Sequence, residues 1–126
     1  MMQHKTFTKT EQQTARGVSL FAFLSDLDPY RFSVSERGYL LDAENPDWVC
    51  SIQRNWWYDN GKNPKQKNGN IIDWVMLEGY SFPEAMTILL TYADGGDWRQ
   101  YLRNNKNEPD FVPVDSYYGD EELPFN

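Results

Sequence analysis

Arg54, Trp56, Tyr58, Lys62, Lys65 and Lys67 combine positive charge with flat rings inside one stretch of fourteen residues. Ammonium and guanidinium groups attract phosphate, and aromatic faces stack on unpaired bases at about 1–3 kcal/mol per base. Both ingredients of single-stranded nucleic acid binding are therefore present. The same residues also fit a solvated loop beside an aromatic sheet, and at this level both readings stand. Strand alternation puts Trp56 and Tyr58 on one face and Asn55 and Trp57 on the other, so one pair faces a core while the other is partly exposed.

A second cluster lies near the C-terminus. Asp120, Glu121, Glu122, Leu123 and Phe125 place an apolar tip behind three carboxylates. This pattern suits a partner-binding tail, mimicry of phosphates in another protein's nucleic-acid groove, or simple solubilisation. Catalytic groupings are not found. Asp26/Asp28, Asp94/Asp97 and Glu121/Glu122 are helix-end or tail charges without a histidine among them. Cys50 sits in a strand with no nearby His to generate a thiolate, which predicts inert packing. Ser81 and Glu84 are explained by helix capping, and Asp73 by the positive end of a helix dipole. The expectation is a non-enzyme with no cofactor.

Composition bounds the chain. Its 126 residues make one small domain, and aromatics at 16% must supply much of the burial. No apolar run approaches the roughly 18 residues of a membrane span, and no signal peptide is recognisable. A single cysteine excludes an internal disulfide and points to the cytoplasm. The net charge of −7 is unevenly placed: six acidic residues and no basic one follow Lys106, leaving the body at −1 and the central loop at +3.

These groups need elements to position them. Residues 1–10 read as a fraying N-terminus. Thr10 and Gln13 have capping-box spacing for a helix presenting Ala15 and Val18, and Ser19 caps a second helix with Leu20, Phe21, Phe23, Leu24 and Leu27 as its stripe, ended by Asp28-Pro29. Strands follow at Arg31–Ser35 and Tyr39–Leu41, then a loop over Asp42–Asp47. A hairpin of Trp48–Ile52 and Asn55–Tyr58 turns at Gln53-Arg54. Asp59–Gly69 is predicted to be a flexible loop. Asn68 or Asn70 caps a helix pointing Ile71, Ile72, Val75 and Met76 inward, with Gly79 at its end. Ser81 and Glu84 box the next helix, which runs to about Ala93 and buries Phe82, Ala85, Met86, Leu89 and Leu90. Asp97 caps a last short helix with Trp98, Tyr101 and Leu102 on one face. Residues 106–126 read as a disordered acidic tail.

The segments Asn68-Gly69-Asn70-Ile71-Ile72-Asp73-Trp74 and Gly79-Tyr80-Ser81-Phe82-Pro83-Glu84-Ala85 resemble the GGD-x-I-D-F and GxSFPEA segments of the N-terminal zinc-ribbon domain of DnaG-type bacterial primases. Asn45-Pro46-Asp47-Trp48 looks like that family's TPSF strand, and Ala15–Leu20 resembles its upstream helix junction. The resemblance covers roughly residues 11–93. It places Gly38, Leu41, Trp57 and Asn60 at the four ligand positions, whereas structural zinc requires Cys or His; the chain's one Cys (Cys50) and one His (His4) lie elsewhere. The chain therefore looks closer to metal-free relatives in primase-like proteins of mobile elements, which carry an NxWY-like strand matching Asn55–Tyr58. Rings would then offset part of the roughly 10 kcal/mol or more lost with a metal. The tail Asp120–Phe125 resembles the acidic tip by which bacterial single-stranded DNA-binding proteins recruit partners.

The sequence thus predicts an α+β fold: a small antiparallel, zinc-ribbon-like sheet without metal, flanked by N-terminal and C-terminal helices over residues 11–105. The expected function is a non-catalytic phage or plasmid module binding single-stranded nucleic acid or a replication protein. The alternative is an anti-CRISPR-like inhibitor of a host defence nuclease complex, motivated by short length, an acidic pI of about 4.6 and no catalytic apparatus.

Overall fold

Reciprocal caps set where the helices start. The computed structural model describes residues 6–103. In α1 (Lys9–Arg16) the Thr8 hydroxyl accepts from the Glu11 amide and Glu11 accepts from the Thr8 amide. The cap is therefore Thr8, two residues before the predicted Thr10. Its partner is a carboxylate, which the helix dipole favours over the Gln13 amide. Phe7 precedes the cap and is buried, its ring edge-on to Phe82 at 6.0 Å. The fraying predicted over residues 1–10 therefore does not hold for Phe7 to Thr10; residues 1–5 lie outside the described residues.

Ser19 caps α2 (Leu20–Leu27), as its spacing predicts. Leu20, Phe23 and Leu24 are buried, but Phe21 is exposed. Asn70 caps α3 (Ile71–Leu77) and Ser81 caps α4 (Phe82–Ala93), both by full capping boxes. Gly79 follows α3 with φ 110°, a left-handed conformation that costs a glycine little. In α3 the buried set is Ile71, Ile72, Trp74 and Val75; Met76 is exposed, contrary to expectation. In α4, Ile88 joins Ala85, Met86 and Leu89 in the core, while Phe82 is exposed and Leu90 only half-buried. The last helix is a single 3₁₀ turn, Trp98–Tyr101, with no side-chain bond from Asp97 and with Tyr101 exposed. Trp98 packs against Phe23 and Tyr92, and Arg99 reaches back to the Asp26 carbonyl, which fixes this turn to α2.

Between the helix pairs lies an antiparallel meander of five strands in sequence order: β1 (Phe32–Val34), β2 (Tyr39–Asp42), β3 (Asn45–Ser51), β4 (Trp56–Asp59) and β5 (Asn68–Gly69). The α+β class with an open antiparallel sheet is as expected. The predicted loop over Asp42–Asp47 is instead a tight connection with β3 starting at Asn45. The Asp42 carboxylate accepts from the Glu44 amide at 2.8 Å, and the register slips between Leu41 and Asp42, so Pro46 falls where no ladder donor is needed. The predicted flexible loop also contains structure. Asn68 and Gly69 pair with Tyr58 and Trp57, the Asp59 amide bonds the Lys67 carbonyl, and the Asn60 amide bonds that of Asp47. A Cβ at Gly69 would stand 2.5 Å from the Asp73 carboxylate, so only glycine fits beside the α3 cap.

The core lies on one face of the sheet, where Phe32, Leu40, Trp48, Cys50 and Trp57 meet the helices. Trp57 is 1% exposed and its indole donates to the Asn70 carbonyl at 2.8 Å, tying β4 to the start of α3. Asn55 makes a second tie. At φ 56° its Oδ1 accepts from the Leu20 amide, and its Nδ2 donates to the Val18 carbonyl, locking the α1–α2 junction to the β3–β4 turn. Asn55→Ala should cost about 3 kcal/mol, part from left-handed strain and part from the missing bonds, whereas Asn55→Gly should cost only about 1–2. Urea denaturation of the two variants checks this; equal, small losses would contradict it.

Candidate nucleic-acid interface

The sheet's second face stays open among the described residues. Alternation and register build it. β4 turns Trp57 into the core and Trp56 and Tyr58 outward, and both outward rings are half-buried. Ser51 pairs with Tyr39 on one side and Trp56 on the other; Val49 pairs with Leu41 and Tyr58, and Tyr58 with Asn68. Two rows therefore cross the open face, Tyr39–Ser51–Trp56 and Leu41–Val49–Tyr58–Asn68. Tyr39 is 42% exposed and Leu41 40%. Trp56 is held in place by its indole N–H, which donates to Asn68 Oδ1 at 3.0 Å.

Trp56 and Tyr58 are two residues apart along one strand, so their Cα atoms are roughly 6.6 Å apart. That is about twice the 3.4 Å rise between stacked bases, leaving room for a base beside each ring. A shallow depression of about 580 Å³ runs over this face, lined by Tyr39, Val49, Ser51, Gln53, Arg54, Tyr58 and Asn60. Arg54 stands exposed in the β3–β4 turn at its rim.

The structure divides the six predicted residues. Arg54, Trp56 and Tyr58 belong to the open face. Lys62 and Lys67 are exposed on the 60–67 connection that leads into β5, and Lys65 lines a cleft on the core side of the sheet. Among the described residues only Arg31 and Arg103 form ion pairs, so all four basic groups of the predicted set are free to meet phosphate. The tail residues Asp120, Glu121, Glu122, Leu123 and Phe125 lie outside the described residues. Tyr39 and Leu41 join the site although the sequence does not single them out. Their alternation in β2 is a local pattern, but the register that sets them beside Trp56 and Tyr58 depends on long-range pairing.

Cys50 lies at the floor of the sheet, fully buried, and burial pushes its thiol up to about 11 against an opposing bond from the Trp56 backbone. It is a protonated packing group rather than a nucleophile at neutral pH. Tyr92 is likewise pushed up to about 12, by burial and by its bond to Asp26. Raised folded-state values mean stability that is complete below the ordinary values of 9.0 and 10.0 and is lost as pH rises through about 11 and 12. The urea midpoint should hold to about pH 9 and then fall, and the Cys50→Ser variant should lack the earlier part of that fall. A midpoint flat to pH 11 would contradict this. Iodoacetamide labelling of Cys50 should track global unfolding at every pH below this window.

No group of three or more His, Cys, Asp or Glu among the described residues is placed to hold a metal ion. No helix among them is long and apolar enough to cross a membrane. No known protein family, curated protein or solved structure matches this chain.

Proposed function

We propose that this chain is a non-catalytic binding module whose open sheet face holds single-stranded nucleic acid. The carrying observation is the pair of cross-strand rows: the rings of Tyr39, Trp56 and Tyr58 lie on one solvent-facing surface with unpaired Arg54 at its rim, and exposed Lys62 and Lys67 follow on the connection from β4 to β5. Rings supply sequence-tolerant stacking and cations follow the backbone, the combination that single-strand binders use. The reading includes a cytoplasmic home and descent from the metal-free relatives of primase zinc-ribbon domains on mobile elements. Trp57 supports that descent: it stands where the resemblance puts a metal ligand, and it fills that space as a core residue.

Fluorescence anisotropy with a labelled oligothymidylate tests the reading. Lys62→Glu/Lys65→Glu/Lys67→Glu should weaken binding at low salt by at least tenfold and flatten the salt dependence by about 0.7 for each phosphate no longer neutralised. Unchanged affinity and slope would exclude the loop from the binding surface. A protein is the second possible occupant of the same face, because Leu41 and Tyr39 expose apolar surface there. A replication protein or a defence nuclease complex bound in place of nucleic acid would show little salt dependence and would still lose affinity with Leu41→Asp.

A further inference from the structure

We infer that the cleft on the core side of the sheet binds a single unpaired nucleobase. It has a volume of about 260 Å³, and its apolar walls come from Leu77 and the largely buried indoles of Trp48, Trp57 and Trp74. Its polar lining mixes signs: Arg31 and Lys65 face Asp42, Asp59 and Glu78. Among the described residues one buried side-chain polar atom has no hydrogen-bond partner, and it is Nε1 of Trp48. Trp48 is 4% exposed, so this donor cannot simply turn to bulk solvent. A buried indole N–H without an acceptor in its own chain is rare, and water or a ligand atom is what ordinarily completes it.

The other polar groups narrow the class. Arg31 is committed to Asp42 by two bonds of 2.9 Å, so that pair contributes almost no net charge. Asp59 accepts from Asn45 and from the Gly61 amide, yet each carboxylate oxygen retains a lone pair. The ligand must therefore offer an acceptor to Trp48 and donors to a carboxylate, and must be flat enough to lie against indole. A simple anion meets three carboxylates, and a simple cation finds Arg31 already over the Trp74 ring at 5.8 Å. A base edge satisfies both demands at once, and bases drawn out of a stack are read in this way. The size agrees, since the cleft falls just below the roughly 300 Å³ at which drug-sized ligand pockets begin. Guanine fits best: O6 can accept from Trp48 while N1–H and the amino group donate to one carboxylate. Lys65, exposed at the rim and in no ion pair, is placed for the attached phosphate.

This inference extends the proposed single-strand binding but uses a different side of the sheet, so the two can fail separately. The test is a ¹H–¹⁵N correlation spectrum of the five indole N–H groups of the full chain. Guanosine 5′-monophosphate and adenosine 5′-monophosphate are titrated in one arm and an oligothymidylate with a single internal guanosine in the other. Trp48 should shift saturably with the guanosine nucleotide, at least fivefold more tightly than with the adenosine one, and Lys65→Ala should weaken the monophosphate but not guanosine. Trp48→Phe, which keeps a ring in the core, should abolish the preference while the other four indole signals hold their positions. A Trp48 signal that moves with the oligonucleotide alone assigns the cleft to a base within a strand; movement with both assigns it to any guanine nucleotide. A Trp48 signal that stays still in both arms while Trp56 moves overturns the cleft and leaves the open-face reading intact. Movement of Trp48 with Trp56 unmoved supports the cleft and overturns the open face.

Discussion

Asp42→Ala is expected to remove about 3 kcal/mol or more of folding stability, because it strands a charge inside the protein. The Arg31 side chain is 12% exposed and that of Asp42 only 2%, with two parallel bonds of 2.9 Å between them. Glu44 at 3.5 Å and Glu78 at 4.0 Å stand by as weaker partners, which keeps the loss toward the lower end of the range for broken buried pairs. Arg31 also stacks over Phe32 and Trp74, so it joins β1 to α3 through its cationic face as well as through its charge. Replacing both partners with apolar residues of similar volume should cost far less than Asp42→Ala alone. Urea unfolding of the single and double variants measures the difference; a single-variant loss below about 1 kcal/mol would mean that the pair is solvated rather than buried.

The second large effect separates neighbouring residues. Trp56→Ala/Tyr58→Ala should leave the fold intact and weaken single-strand binding by about 2–6 kcal/mol, the sum of two stacks. Trp57→Ala, between them in the chain, should do the reverse. Its ring is 1% exposed and bonds the start of α3, so its removal should cost about 3–5 kcal/mol of stability. Anisotropy and denaturation run on the same three proteins distinguish the faces. Equal effects at all three positions would contradict the division of β4 into a core side and a binding side.

Much of this division was legible in the residues, and the failures share a cause. Alternation in Trp56-Trp57-Tyr58 is a local signal, and it correctly separated the rings. Caps are local too: Ser19, Asn70 and Ser81 each carry their partner within three residues, so their helices start where expected. At α1 the spacing alone misplaced the cap at Thr10: Thr8 holds it, through the Glu11 carboxylate and next to Phe7, whose partner Phe82 lies far along the chain. Met76 and Trp74 likewise exchanged roles because the sheet, through Phe32, decides which side of α3 is inside. The 59–69 connection looked loose from its Asn, Lys and Gly content; Asp47, Asn45 and Trp57 hold it through pairings with Asn60, Asp59 and Gly69, each across at least 12 residues. The site followed the same rule. Its charges and two of its rings could be read directly, whereas Tyr39 and Leu41 needed the register.

The open face as a single-strand site is tested most directly by the salt dependence of oligothymidylate binding to the unaltered chain. If Arg54, Lys62 and Lys67 each meet a phosphate, log affinity should fall linearly with log salt, with a slope near −2 for about three phosphate contacts. Affinity should persist at high salt through stacking, and should vanish there in Trp56→Ala/Tyr58→Ala. No binding at low salt, or binding whose salt slope and affinity are the same in that variant, would contradict the account.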